Sequence, residues 1–284
     1  MLESILIKNI AIVFEKEIKT GDIYIHQGKI KYFSWSLNMK AEEVSNGQVL
    51  MLIPGCIDTH VHMRDFDLAA KEDFNSGSRA AAAGGFTTIF DMPNTQPPTI
   101  SLEALAQKRK QAAANCLVNY GFYLGATKDN LAELNKAENI AGIKIFMGSS
   151  TGNLLLEKTA DLEKIFTHTD KLITVHAEDH GIIMENTQKS MCEQGLYLHA
   201  KIRSKEAEIT AIEKALKLAK VHAKRLHILH LTCAESVALL RKEKIEGLIT
   251  AEVCPQHLFL HGPEAYEKLG NFAKVNPPIR MQQD

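Results

Sequence analysis

The chain has little of what a disulfide-stapled, membrane-spanning or nucleic-acid-binding protein needs. Its 284 residues include five cysteines, at 56, 116, 192, 233 and 254. Their number is odd and none is spaced C-x-x-C, which argues against both a cysteine zinc site and a disulfide framework. A reducing cytoplasm is the expected setting. No apolar stretch approaches the roughly 18 residues of a membrane span, and Met1–Lys8 lacks both a basic n-region and a long apolar core. Basic excess is missing too: 33 Lys and Arg against 34 Asp and Glu leave a formal charge of −1, so no polyanion partner is implied. What remains, 45% apolar and 24% charged, is the composition of a soluble globular protein long enough for one large barrel or two ordinary domains.

Residues 2–52 carry short β-type segments, Ile5–Ile7, Ile10–Phe14, Asp22–His26 and Lys29–Phe33, punctuated by Thr20-Gly21, Gln27-Gly28 and Asn46-Gly47. This spacing predicts small antiparallel hairpins. The apolar run Val49–Ile53, continued by Pro54-Gly55-Cys56-Ile57, reads as a buried strand. From Leu52 the rhythm changes to strands alternating with helices, the pattern of a parallel sheet covered by helices. A boundary near 52 follows, with domains at 1–52 and 53–284.

The expected strands are 53–58, 87–92, 118–125, 142–147, 172–178, 226–231 and 247–254. Between them helices are expected at 71–83, 101–114, 130–137, 154–167, 204–223 and 234–243, with a looser region at 181–195. The helix from Ser204 is the best marked: a Ser N-cap, Glu206 and Glu208 in its first turn, then Ile209, Ile212, Leu216 and Ala219 on one stripe. Ala80–Ala83 followed by Gly84-Gly85 reads as a helix end feeding the next strand. Seven β/α units result, one short of the eight that close a barrel. Either an open sheet or a barrel lacking its last unit fits this count.

The stretch Asp58-Thr59-His60-Val61-His62-Met63-Arg64-Asp65 concentrates reactive side chains. Residues two apart on a strand share a face, so His60 and His62 would project together and could grip one divalent cation. Arg64, on the same face if the strand persists, could hold an anion beside it. Barrel enzymes place reactive groups at strand C-termini, and other strands here end in ligand types. Lys144 lies inside the apolar strand 142–147, where an ammonium is costly unless paired or chemically changed. His176 and His230 each stand near a strand end, whereas His227, three residues before His230, should face the other way. The histidines at 26, 168, 180, 199, 222, 227, 257 and 261 lack matching positions and read as surface, structural or supporting groups. Glu178 and Asp179 could accept hydrogen bonds from ligands or simply sit in a loop.

The segment from Pro54 to Asp65, followed by Lys71-Glu72-Asp73-Phe74, Ala82–Thr88 and Asp91-Met92-Pro93-Asn94-Thr95, resembles the dihydroorotases of the cyclic amidohydrolase superfamily. Lys144, Ser149–Leu154, His176–Asp179, His230-Leu231-Thr232 and Val275–Arg280 extend the likeness over nearly the whole chain. The resemblance implies an α/β fold, a (β/α)8 TIM-type barrel, with a small β-sandwich portion at the N-terminus. It also implies two zinc ions, the first on His60 and His62 and the second on His176 and His230, bridged by an N6-carboxylated Lys144. Arg64, Asn94 and Asn276 would hold an anionic small-molecule substrate. The implied reaction is reversible hydrolysis of dihydroorotate to N-carbamoyl-L-aspartate in pyrimidine synthesis, by a cytoplasmic homodimer that engages neither nucleic acid nor membrane.

Two departures qualify the likeness. After Arg64-Asp65 the family usually continues Pro-Gly where this chain has Phe66-Asp67, which predicts a changed loop. The family's general acid/base, an Asp at the end of strand eight, has no counterpart before Asp284. The expectation is a fragment of a longer enzyme, nearly inactive alone, or a chain completed by a partner. Rival readings are allantoinase, dihydropyrimidinase, or a non-catalytic dihydroorotase-like subunit of an aspartate carbamoyltransferase complex.

Overall fold

The computed structural model describes residues 3–149, 154–243 and 245–284. The chain divides into two compact units, Met1–Cys56 and Ile57–Asp284. No helix among the described residues is long and apolar enough to cross a membrane.

The first unit is a five-stranded sheet. Strands β1 (Ser4–Val13), β2 (Ile18–His26) and β3 (Lys29–Ser34) form the expected antiparallel meander. Two more strands, β4 (Glu43–Asn46) and β5 (Met51–Leu52), pair in parallel with β1, which the hairpin reading did not anticipate. Ile10, Ile12 and Ile23 form its small core. The run Val49–Ile53 is a correction: it is not a buried strand, since Val49 is 98% exposed and only Met51–Leu52 pairs, against Ala11 and Ile12. Apolar content alone does not distinguish a core strand from an edge.

The second unit carries the chemistry. Its sheet is built from β6 (Cys56–Val61), β7 (Phe86–Asp91), β8 (Asn119–Gly125), β9 (Gly142–Phe146), β10 (Ile173–His176), β11 (Leu226–Ile228) and β12 (Ile249–Ala251). These seven strands lie side by side in chain order, as the staves of a barrel do. From β7 to β12 every neighbouring pair is parallel. Helices intervene: α1 (Phe74–Ala83), α2 (Leu102–Asn115), α3 (Leu131–Lys136), α4 (Thr159–His168), α5 (His180–Lys189), α6 (Leu198–Ile202), α7 (Lys205–Val221) and α8 (Ala234–Glu243). After β12 come α9 (Pro255–Phe259) and α10 (Glu264–Leu269).

Local chemistry sets these boundaries. The Asp73 side chain accepts from Ser76 N and closes a capping box, so α1 starts at Phe74, not Lys71. Gly85, at φ +83°, takes the left-handed turn into β7. Leu155 bridges to Phe146, which keeps the chain extended until α4 begins at Thr159. Ser204 sits at the N-cap of α7 without a side-chain capping bond. The buried face of α7 runs through Ala207, Ala211, Ile212, Ala215, Leu216 and Ala219, and Ile209 is only half-buried. Phe122, Leu124, Ile143, Ile145, Val175, Ile228, Phe166 and Leu162 join that face in one core. Each such side chain gains about 1.5–3 kcal/mol on burial.

Candidate functional site

A cavity of about 830 Å³ is lined by His60, His62, Arg64, Asn94, Lys144, His176, His230 and Asn276. All eight residues singled out from sequence therefore meet at one place, on the side where the strands end. Of the quoted motif stretches, Ser150–Asn153 lies outside the described residues.

β6 ends at Val61, so Arg64 does not extend the strand face. Instead Arg64, Asp65 and Phe66 have φ of 56°, 48° and 49°, a run that costs each non-glycine residue backbone strain. Proline cannot adopt such a φ, so the turn observed at Phe66 excludes proline at that position. Asp65 supports it: its buried carboxylate accepts from Phe66 N at 2.6 Å, Phe74 N at 3.0 Å and Gln111 Nε2 at 3.1 Å. Beneath it Asp91 accepts from Met63 N at 2.7 Å and pairs with the fully buried Lys108 at 2.5 Å. The turn so held brings Arg64 to the cavity wall.

The imidazoles converge. His60 Nε2 faces His62 Nε2 at 3.3 Å, and His176 Nδ1 faces His230 Nε2 at 3.0 Å, while His60 and His230 have ring centroids 5.2 Å apart. The outward nitrogens of three of them are held. His60 Nδ1 donates to Glu252 Oε1 at 2.5 Å, His62 Nδ1 to Asn94 Oδ1 at 2.7 Å, and His176 Nε2 to Glu178 Oε2 at 2.7 Å. These partners fix the tautomers and leave lone pairs directed inward, the arrangement by which imidazoles bind a metal. Burial lowers the pKa of all four, for His62 and His230 well below the ordinary value, with neighbouring positive charge adding to it. They are neutral, the form in which imidazole can hold a divalent cation.

Lys144 on β9 is 1% exposed, and burial pushes its amine down to about 7 although the Glu252 charge opposes this. Its Nζ lies 4.6 Å from the Phe146 ring centre, and among the described residues the Glu252 carboxylate acts on it through charge without a hydrogen bond. The donor set thus fits a divalent metal, with His60, His62, His176 and His230 able to hold it and Lys144 beside them. His60, Glu252 and Cys254 also offer three ligand atoms within 4.8 Å of one another.

Sequence reasoning missed several neighbours. Glu252, just past β12, accepts from His60, from His227 Nε2 at 3.1 Å and from Thr59 Oγ1 at 3.1 Å. Burial disfavours its charge, yet those histidines hold it well below the usual carboxylate range. His227 does not line the cavity, but its register beside Thr174, which also pairs with Lys144, puts it on the same sheet face as Lys144 and corrects the opposite facing expected from its spacing: β11 ends at Ile228, and His230 lies beyond it at φ 39°. It supports the site through Glu252. Glu178 is buried; despite that, His176 and Arg203 hold it down to about 2. Arg203, at the end of α6, contacts both Glu178 and Ser149 O. Cys254, Gln256, His257 and His199 complete the wall. The strand-end rule applied to 247–254 would have found Glu252; nothing in the sequence marks Arg203 or His199.

Among the described residues, three polar atoms in the wall are buried without a partner: Arg64 Nη1, Asn94 Nδ2 and His257 Nδ1. The first two are donors and lie beside His62, so this side of the cavity fits a carboxylate.

Residues 51–254 match the amidohydrolase family. Among curated relatives, the dihydroorotase of Methanosarcina acetivorans is 34% identical, the match covering 98% of this chain and 62% of that protein. The dihydroorotase of Pyrococcus furiosus is also 34% identical, over 96% of this chain and 59% of its own. Among solved structures, the L-hydantoinase (dihydropyrimidinase) from Arthrobacter aurescens superposes with a TM-score of 0.91 at 31% identity, covering 100% of this chain and 65% of that one. A D-hydantoinase superposes at 0.86 with 30% identity, over 98% of this chain and 64% of its own. The chain thus spans less than two thirds of the length of each of these proteins.

Proposed function

The chain belongs to the amidohydrolase family, and from that premise we propose that it is the metal-binding portion of a dihydroorotase. The observation that carries this choice within the family is the pair of unpartnered buried donors, Arg64 Nη1 and Asn94 Nδ2, beside the imidazole cluster. Dihydroorotate carries a ring carboxylate that would satisfy both; hydantoin and dihydrouracil carry none. A buried donor left without a partner costs about 1–3 kcal/mol, so the wall favours the carboxylated ring.

In this reading His60 and His62 would hold one zinc ion and His176 and His230 a second, and Lys144 would join them as a carbamate. Metal held by these residues would supply Lewis acidity and lower the pKa of water. Lys144 supports the carbamate assignment because only a neutral amine adds carbon dioxide, and burial holds this amine down to about 7. Addition of the neutral amine to carbon dioxide forms an N–C bond at the expense of one C=O π bond, releases one proton and leaves an anionic carbamate where a neutral amine stood. Arg64 and Asn94 bind the substrate carboxylate and orient the ring, while Asn276 at the rim meets its far edge. Glu252 and Glu178 keep the ligand imidazoles in the required tautomers. Proton relay to the leaving nitrogen is assigned to none of the residues described. A cytoplasmic homodimer belongs to the same proposal, with light scattering as its check.

The second reading, dihydropyrimidinase, is favoured by the hydantoinase superposition alone. Steady-state assays with dihydroorotate, dihydrouracil and allantoin separate them. The proposal expects turnover or competitive binding of dihydroorotate only; preference for an uncharged ring overturns it.

A further inference from the structure

We infer that His199 and His257 are positioning residues that staple the strap bearing Asn276 to the cavity wall. The inference rests on the proposed function, in which Asn276 touches the substrate.

The strap runs from Lys274 to Arg280 and contains Pro277-Pro278, neither of which has an N–H to offer. It joins none of the strands of the sheet, so its hold on the wall must come largely through its carbonyls. Donors from separate helices supply that hold. His199 on α6 donates through Nε2 to Val275 O at 2.8 Å. His257 on α9 donates through Nε2 to Pro277 O at 3.1 Å. These two carbonyls flank Asn276, whose side chain is exposed at the cavity rim. Further along, Tyr266 Oη donates to Ile279 O at 3.1 Å, and the buried Arg280 is anchored to Arg203 O and Thr232 Oγ1. The C-terminal half of the strap is therefore fixed by several bonds, whereas the half with Asn276 depends on two imidazoles.

A carbonyl acceptor requires an N–H donor at Nε2 of each ring. Glutamine can present an amide N–H at nearly the same reach, whereas phenylalanine keeps the ring shape and removes the donor. Loss of either staple frees the peptide around Asn276 and removes the preorganisation on which ligand contact depends.

The test compares His199→Phe, His257→Phe and their Gln counterparts in the metal-loaded chain. The first readout is the rate of tryptic cleavage at Lys274–Val275, followed by mass spectrometry against cleavage elsewhere. It should rise about tenfold or more in the Phe variants and return toward wild type in the Gln variants. The second readout is steady-state kinetics, in which KM for dihydroorotate should rise about tenfold with kcat within about twofold, and the effect should not add to that of Asn276→Ala. Unchanged cleavage in the Phe variants overturns the inference, as does full additivity with Asn276→Ala. Should wild type neither bind nor hydrolyse dihydroorotate, the dihydroorotase reading fails, and cleavage at Lys274 still decides whether the histidines hold the strap. Where a Phe variant does not fold, the Gln variant and His→Asn at the same position, whose shorter reach should not span the bond, take its place.

Discussion

Glu252 Oε1 accepts the Nδ1 proton of His60 at 2.5 Å, while its other oxygen takes protons from His227 and Thr59. One carboxylate thus fixes the ring on which the expected metal pair begins, from the position just past the strand at the opposite edge of the seven-stranded sheet.

Glu252→Gln keeps the size of this group and removes its charge. Because partners of this kind orient the ligand ring and raise its basicity, zinc affinity should fall about 10- to 100-fold. Titration against a competing chelator measures it. An unchanged affinity contradicts the supporting role.

Arg64→Met should raise KM for dihydroorotate roughly 10- to 100-fold, the cost of one charge-assisted hydrogen bond to a carboxylate. Asn94→Ala acts twice, on the substrate and on His62, and should lower metal affinity as well. Parallel kinetics and metal titrations distinguish the two. Equal effects on an uncharged ring would show that Arg64 does not read the carboxylate.

Much of the site was legible because the strands carrying it are regular and buried. Lys144 and His176 stand on β9 and β10, whose residues are all buried, so period-two reasoning and the strand-end rule apply directly. Arg64 was placed in the right cavity for the wrong reason, since a left-handed turn and not a continuing strand brings it there. Glu252 lies near the end of the expected strand 247–254 and was within reach of the strand-end rule, although the observed β12 is three residues long and stops before it. Lys108 would read as a solvent-facing helix residue, yet it is fully buried against Asp91, a tertiary pairing no helical period reveals. The run Val49–Ile53 failed for the converse reason: Val49, Leu50, Met51 and Ile53 are exposed, and only Leu52 packs against the small core of the first unit.

Acidification should destabilise the metal-free protein. Folding holds His60, His62, His176 and His230 below 6.5, so the unfolded chain takes up protons that the folded chain refuses. The stabilisation is complete above about pH 6.5 and is lost as pH falls. Glu178, with its ordinary value of 4.5 lowered to about 2, adds a second loss across that window. Calorimetry should show Tm declining from about pH 6.5, and His230→Gln should flatten the first part of the decline. A Tm that rises on acidification contradicts the burial argument.

Labelled bicarbonate tests Lys144. With zinc and ¹³C-bicarbonate, a carbamate carbon resonance should appear and vanish in Lys144→Arg, whose guanidinium does not form one. Its absence from the zinc-loaded wild type rejects the carbamate while leaving the four histidines as ligands.

Metal stoichiometry tests the central claim most directly. After loading with zinc and bicarbonate and removal of excess metal, elemental analysis should find about two zinc ions per chain. His60→Ala and His230→Ala should each lose at least one. A wild-type chain that retains no metal, or whose metal content ignores both substitutions, would contradict the reading of the imidazole cluster as a two-metal site.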